Sequence, residues 1–97
     1  MNVECLWDLA DDPEGNVQHI SEHGVTIEEV EEVVRNRYQH AVAGRRSGRP
    51  TVFGSTSTGK HLAVAFDILD ANVPQVYVVT AYETPAPAAA SGRRRKR

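Results

Sequence analysis

The strongest constraint on the fold is a set of helix-end signals around Gly24, which stop one α-helix and start another within a few residues. Gly24 is predicted to follow the last residue of the first helix, because glycine adopts the left-handed backbone conformation at little cost. Thr26 is predicted to cap the second helix, with Glu29 three residues later completing a capping box. Val25 and Val30 occupy the two positions of a hydrophobic staple across that cap. These local rules together predict a tight α-helical hairpin.

The remaining periodicity predicts the other elements of one α+β domain. A first helix is predicted over residues 13–23, with Asp12 as its N-cap and Pro13 at its first position, and a second helix from residue 27 to about residue 36. Apolar runs predict strands over residues 3–7, 38–43, 50–54, 60–68 and 75–82. Because the connections between the later strands are short, these strands are expected to pair antiparallel. The predicted fold is an antiparallel sheet of four to five strands, in the order β-α-α-β-β-β-β, with the helical hairpin packed on one face.

Composition bounds the class of protein. A chain of 97 residues, of which 40% are hydrophobic, is expected to form one small domain with a modest core. No apolar run approaches the roughly 18–20 residues of a membrane-spanning helix, and the first residues lack the basic-then-apolar order of a secretory signal. The single cysteine, Cys5, excludes an internal disulfide, and its apolar neighbours predict a buried, unreactive thiol. A reduced, cytoplasmic location without membrane association is therefore expected.

Charge is divided unevenly along the chain. Residues 1–34 contain ten Asp and Glu and no Lys or Arg, whereas residues 35–97 contain all eleven Lys and Arg and three carboxylates, which gives formal charges of −10 and +8. Two interpretations are open: a basic surface for a polyanion, or two solvated faces that attract each other. Five of the basic residues form the run from Arg93 to Arg97, after a Pro/Ala-rich linker. Residues 1–84 are expected to fold, and residues 85–97 to be disordered.

Several short motifs follow the pattern of a known family. They are Trp7-Asp8, Asn16, His19, His23-Gly24-Val25-Thr26, Glu28-Glu29, Gly48-Arg49, Phe53-Gly54, the run Gly59-Lys60-His61-Leu62-Ala63-Val64 and the closing Val78-Val79-Thr80-Ala81. In these motifs, over residues 5–84, the chain resembles the BrnT-type toxins, whose fold is a small version of the RelE-like ribonuclease toxin fold.

The resemblance implies a metal-independent endoribonuclease without a cofactor, which cleaves mRNA and is neutralised by a cognate antitoxin protein. Arg49 and Lys60 fall where the family carries basic residues on its sheet, and they are expected to hold RNA phosphates or to stabilise the transition state. The chain departs from the family pattern at Val76 and Tyr82, where these toxins usually carry arginines. A neutral phenol does not replace a guanidinium. A second hypothesis is therefore a non-catalytic BrnT-like module that binds an antitoxin-like partner or nucleic acid.

Further candidate residues come from side-chain chemistry. His61 can act as a base or an acid near neutral pH, although a surface strand residue is the simpler interpretation. Tyr82 can stack on a base or donate a proton. Arg45 and Arg46, together with Arg49, lie in a Gly/Ser-rich stretch and can contact RNA phosphates, or form an ordinary solvated loop. The predicted catalytic residues are thus His61 and Tyr82, and the predicted phosphate-binding residues are the three arginines and Lys60.

Two other patterns are weaker. His19 and His23 share a helix face, but no third ligand stands at a recognised spacing, so no metal site is predicted. The stretch from Gly54 to Lys60 superficially resembles a phosphate-binding loop, but a strand rather than a helix is expected to follow it.

Overall fold

The computed structural model describes residues 2–45 and 47–86, which form an α+β domain. The elements are β1 (Glu4–Leu6), α1 (Asn16–Glu22), α2 (Ile27–Arg37), β2 (Val42–Ala43), β3 (Pro50–Ser55), β4 (His61–Asp70) and β5 (Gln75–Glu83), with one 3₁₀ turn (Tyr38–His40) after α2. This order confirms the predicted fold class. Of the expected linker and tail, residues 87–97 lie outside the described residues.

The five strands form one mixed sheet in the order β1-β5-β4-β3-β2. Strands β2 to β5 pair antiparallel, as expected from their short connections. Strand β1 instead pairs in parallel with the first residues of β5, so the expectation of a wholly antiparallel sheet is corrected at this edge. Short turns fix the relative direction only of strands that follow each other along the chain, and β1 and β5 are separated by the rest of the domain.

The helical hairpin has the predicted termini. Gly24 has a φ of 74°, and the Val25 N–H donates to the Ile20 carbonyl at 3.1 Å, as in a Schellman motif. The Thr26 hydroxyl accepts from the Glu29 N–H, and the Glu29 carboxylate accepts from the Thr26 N–H, which completes the capping box. Both ends of this turn are therefore fixed by residues close in sequence.

The predicted start of the first helix is wrong. Helix α1 begins at Asn16, with Gly15 at its N-cap, rather than at Pro13 after Asp12. The Asp12 carboxylate accepts from the Glu14 N–H, and the Asp12 carbonyl accepts from the Gly15 N–H, so these residues form a turn. Asp side chains stabilise such local turns as readily as helix caps, and in this protein Asp12 stabilises a turn that precedes the helix.

Both helices pack on the same face of the sheet. Helix α2 lies over β3 and β4, and α1 lies against β5. The fully buried side chains between the two layers are Ile20, Val30, Val33, Val34, Val52, Leu62, Val64, Phe66, Val76, Val78 and Ala81. None of the described helices is long and apolar enough to cross a membrane.

The opposite sheet face, here called the open face, is not covered by either helix. Because side chains alternate along strands, the register assigns its central members. They are Thr51, Phe53 and Ser55 on β3, His61, Ala63 and Ala65 on β4, and Thr80 and Tyr82 on β5.

Gly54 tests the packing of α2 on the sheet. A Cβ at this position would lie 2.9 Å from the Cγ of Arg37 and 3.2 Å from a methyl of Val33. Because Val33 is fully buried, Gly54→Ala is expected to lower the free energy of unfolding by about 1–3 kcal/mol, through overpacking. Urea unfolding measures the effect, with Ser55→Ala on the open face as the neighbouring control. A Gly54→Ala variant as stable as the parent would contradict this account of the layer contact.

Candidate nucleic-acid interface

Two exposed aromatic rings stand on neighbouring strands of the open face. Ala63 on β4 is paired with Phe53 on one side and with Tyr82 on the other. Ala63 is fully buried although it faces away from the helices, whereas Phe53 and Tyr82 are 45% and 44% exposed. Two rings flanking a small residue form a flat, sequence-tolerant surface of the kind on which nucleic-acid bases stack. Sequence reasoning selected Tyr82 but gave no role to Phe53.

A groove of about 360 Å³ extends from this ring pair across the open face. Its floor includes Ala65, and its rim includes Phe53, Tyr82, Thr80 and Arg45. Among residues 2–45 and 47–86, Arg45 is the only arginine or lysine without a hydrogen bond or ion pair to another described residue. The groove therefore has an aromatic end and an adjacent unpaired cation. Arg46, also predicted to bind phosphate, lies outside the described residues.

Helix α1 forms a wall beside β5. The His19 Nε2 lies 2.9 Å from the Thr80 Oγ1. The His19 and His23 rings meet edge-on with centroids 5.1 Å apart, and His23 lies 6.3 Å from the Tyr82 ring. The i, i+4 spacing of the two histidines thus places His19 beside Thr80 and His23 beside Tyr82, both on the open face. In the part of the chain that the structure describes, no group of three His, Cys, Asp or Glu side chains is arranged to hold a metal ion.

His61 and Tyr82 lie at the same end of the open face. The Thr84 N–H donates to the His61 carbonyl at 2.7 Å, and Tyr82 lies two residues earlier on β5. His61 and Tyr82 are therefore diagonal cross-strand neighbours, a relationship with an expected separation of about 7–8 Å. The His61 Nδ1 lies 3.3 Å from the Ser55 Oγ, which orients the imidazole on its partner strand. The two predicted catalytic residues are thus brought together.

Lys60 lies on the other side of the sheet. Its ammonium donates to the Gly24 carbonyl at 2.6 Å and to the Glu29 carboxylate at 3.2 Å, both in the helical layer. Lys60, expected as the first residue of a strand, instead precedes β4 and connects the sheet to the end of α1. Its ion pair competes directly with any phosphate.

The Glu29 carboxylate is the shared acceptor in this contact between the sheet and the helices. Its carboxylate accepts from the Thr58 hydroxyl at 2.6 Å as well as from Lys60 and the Thr26 N–H. The hydrogen bond from Thr58, followed by those from Thr26 and Lys60, lowers the pKa of Glu29 to about 2 despite its burial. Nearby, Glu32 accepts from the backbone N–H and hydroxyl of Ser57. Two glutamates of α2, Glu29 and Glu32, thus hold the loop between β3 and β4.

Arg49 lies at the far end of the sheet from His61. Its Nε donates to the Asp67 carboxylate at 3.0 Å, and both side chains are nearly half exposed. Asp67 is six residues beyond His61 on β4, a separation of about 20 Å at roughly 3.3 Å per residue. Exposed ion pairs contribute about 0–1 kcal/mol, so this one can open for an anion. The structure nevertheless does not place Arg49 beside the predicted catalytic pair.

A polar network holds the start of α1, and sequence reasoning missed it. The Asn16 amide donates to the carbonyls of Leu6 and Val78 and accepts from the Asp8 N–H. The Asp8 carboxylate accepts from the Tyr77 hydroxyl at 2.6 Å and from the Asn16 N–H. The Tyr77 bond, followed by the Asn16 bond, lowers the pKa of Asp8, and the same bond and burial raise the pKa of Tyr77. The Asn16 amide thereby bonds the Val78 carbonyl on the part of β5 that lies beyond its pairing with β1.

Cys5 is not a candidate nucleophile. It is buried in the core, and burial, followed by the charge of Glu31, raises its pKa to about 11. The thiol is therefore protonated at neutral pH and unreactive, as predicted.

The fold and site define a small α+β protein with an open, aromatic-bearing sheet face. Comparisons of the chain with protein-family models, with curated proteins and with solved structures give no match. The resemblance to BrnT-type toxins consequently depends on the residue motifs given above.

Proposed function

We propose that the protein is a toxin-like, metal-independent endoribonuclease of the BrnT type, which binds single-stranded RNA on its open face and is neutralised by an antitoxin. The observation that carries the proposal is the placement of Phe53 and Tyr82, both nearly half exposed, on one face with His61. Arg45, which has no partner among residues 2–45 and 47–86, supplies a positive charge at the rim of the same groove.

The binding step follows from this placement. Single-stranded RNA is recognised largely through bases stacked on aromatic side chains, with cations along the backbone. Phe53 and Tyr82 present such rings, and the small side chains of Ala63 between them and Ala65 beside them leave room for a base. Arg45 is available for a phosphate because it has no described partner, in contrast to Lys60, which is held by Glu29.

Cleavage without a metal requires a group that removes the 2′-hydroxyl proton and a group that protonates the leaving oxygen. His61 has the chemistry of the first, and the exposed phenol of Tyr82, its diagonal neighbour, can serve the second. His23 contacts the Tyr82 ring and limits its position. The site thus brings an acid–base pair next to the stacking surface.

A second candidate function is that of a non-catalytic interaction module. Lys60 and Arg49, the two cations expected from the family, are engaged in internal ion pairs. An exposed apolar group at the other end of the domain favours a protein partner such as an antitoxin. It comprises Val42, Ile68, Leu69 and Val73, beside a groove of about 240 Å³.

His61→Ala separates the two functions. Purified protein incubated with single-stranded RNA is expected to cleave it without added metal, and His61→Ala is expected to slow cleavage about 100-fold, the lower range for loss of a general acid or base. RNA affinity should change little. His40→Ala, an exposed histidine on the 3₁₀ turn, is the matched control. RNA binding without cleavage by the parent protein would support the interaction module instead, and inducible expression in bacteria then shows whether growth is unaffected.

A further inference from the structure

Two grooves on the open face meet at one residue. The groove beside Phe53 and Tyr82 and a second groove of about 440 Å³ against α1 both include Thr80 in their walls. The second groove is also lined by His19 and Tyr77. Both volumes lie within the roughly 300–1,000 Å³ of small-ligand sites. The two grooves are therefore adjacent compartments along β5.

The junction between the compartments is polar. The Thr80 hydroxyl and the His19 imidazole approach each other at 2.9 Å, and His19 is exposed. The two groups bond each other in the absence of a ligand, and a phosphate oxygen that replaces this bond can accept from both. Arg45 stands on the rim of the Phe53 side. The donors that suit an anion are thus Thr80 and His19 between the two compartments and Arg45 beside the Phe53 compartment.

The α1 compartment has a different chemistry. It carries the Glu14 carboxylate, and the Tyr77 hydroxyl on its wall is already committed to Asp8. A carboxylate repels phosphate but accepts hydrogen bonds from ribose hydroxyls and from exocyclic amines of bases. A phosphate is accordingly favoured at the junction, with a nucleoside on either side.

The geometry points to a dinucleotide site: two successive nucleotides of single-stranded RNA occupy the two compartments, with their linking phosphate at Thr80 and His19. One base lies over Ala65, beside the rings of Phe53 and Tyr82, and the other lies between α1 and Tyr77. This inference rests on the proposed function, because it specifies which part of an RNA the open face holds. His19 is a phosphate-binding residue in this site, a role that the sequence did not suggest.

Calorimetric titration with RNA of increasing length tests the site. The probes are a 5′-mononucleotide, a dinucleotide, a tetranucleotide and a ten-nucleotide RNA, with a 2′-O-methyl group on every sugar that precedes a phosphodiester linkage, which prevents cleavage. The dinucleotide is expected to bind at least 10-fold more tightly than the mononucleotide, and the tetranucleotide at most about 3-fold more tightly than the dinucleotide. His19→Gln should weaken dinucleotide binding and so remove most of the first step.

His40→Gln is the matched control, because His40 is also exposed but lies outside both compartments. Thr80→Val, checked for folding by circular dichroism, should reproduce the loss at the dinucleotide step. Tight binding of the ten-nucleotide probe with no step between one and two nucleotides, or with no effect of His19→Gln, would overturn the dinucleotide site and leave RNA binding standing. Failure of every probe to bind would overturn both.

Discussion

Replacing Phe53 and Tyr82 together by alanine is expected to weaken the binding of single-stranded RNA by about 30-fold or more. Stacking of a base on an aromatic side chain contributes about 1–3 kcal/mol, so two rings account for roughly 2–6 kcal/mol. Both rings are nearly half exposed and lie on the face away from the helices, so the core between the two layers is untouched, and urea unfolding checks that the variant remains folded. Fluorescence anisotropy with a labelled ten-nucleotide RNA at fixed salt measures the affinity.

The matched control removes two exposed apolar side chains elsewhere. Leu69 and Val73 are 52% and 57% exposed, and they lie outside both grooves of the open face. Leu69→Ala combined with Val73→Ala should leave RNA affinity unchanged. If the aromatic double variant binds RNA as tightly as the parent, the open face is not the interface.

Replacing Glu29 by alanine should destabilise the domain by about 2–4 kcal/mol, because hydrogen bonds to a charged group contribute about 1.5–3 kcal/mol each. The Glu29 side chain is only 8% exposed, whereas Lys60 is 30% exposed and stays partly hydrated. The loss removes the shared acceptor of Lys60, Thr58 and the Thr26 N–H, although Lys60 keeps its bond to the Gly24 carbonyl. Since small domains have a total stability of about 5–15 kcal/mol, this loss is a large fraction of the whole. Urea unfolding at pH 7 measures the effect, and Glu28→Ala, an exposed neighbour on the same helix, is the control.

The same carboxylate predicts the acid sensitivity of the fold. The pKa of Glu29 is lowered from 4.5 to about 2 in the folded protein, so the folded state favours the ionised form. Its contribution, roughly 3 kcal/mol by linkage, is fully present above about pH 4.5 and is lost as the pH falls toward 2. Glu29→Gln cannot titrate, so its stability should fall less steeply across that window. Parallel pH profiles for the parent and Glu29→Gln would contradict the assignment.

Local signals predicted the helical hairpin because every determinant lies within a few residues of Gly24. The start of α1 was missed for the opposite reason. Asn16 begins the helix because its amide bonds Leu6 and Val78, and Val78 is 62 residues away in the chain. No window of sequence around Asp12 contains that information.

The candidate site was predicted in part for a similar reason. Alternation along a strand places neighbouring residues on opposite sides, which explains why His61 faces the open side while Lys60 reaches the helices. Phe53 becomes a site residue only through the register that pairs it with Ala63, and thereby with Tyr82. Arg49 lies far from His61 because it bonds Asp67, six residues further along β4, and that pairing depends on register and not on residue type.

The short helix α1 is held at both of its ends. Asn16 holds its first turn to the sheet, and Lys60 holds the Gly24 carbonyl just beyond its last turn. Helix α1 forms one wall of the groove beside β5. This wall is therefore positioned by Asn16 and Lys60, which act at the two ends of the helix and away from Tyr82. Substitutions in the Glu29–Lys60 tie can shift that wall, and so change the width of the groove, without altering any residue that a bound molecule would touch. The polar contacts that stabilise the domain therefore also position this wall of the groove.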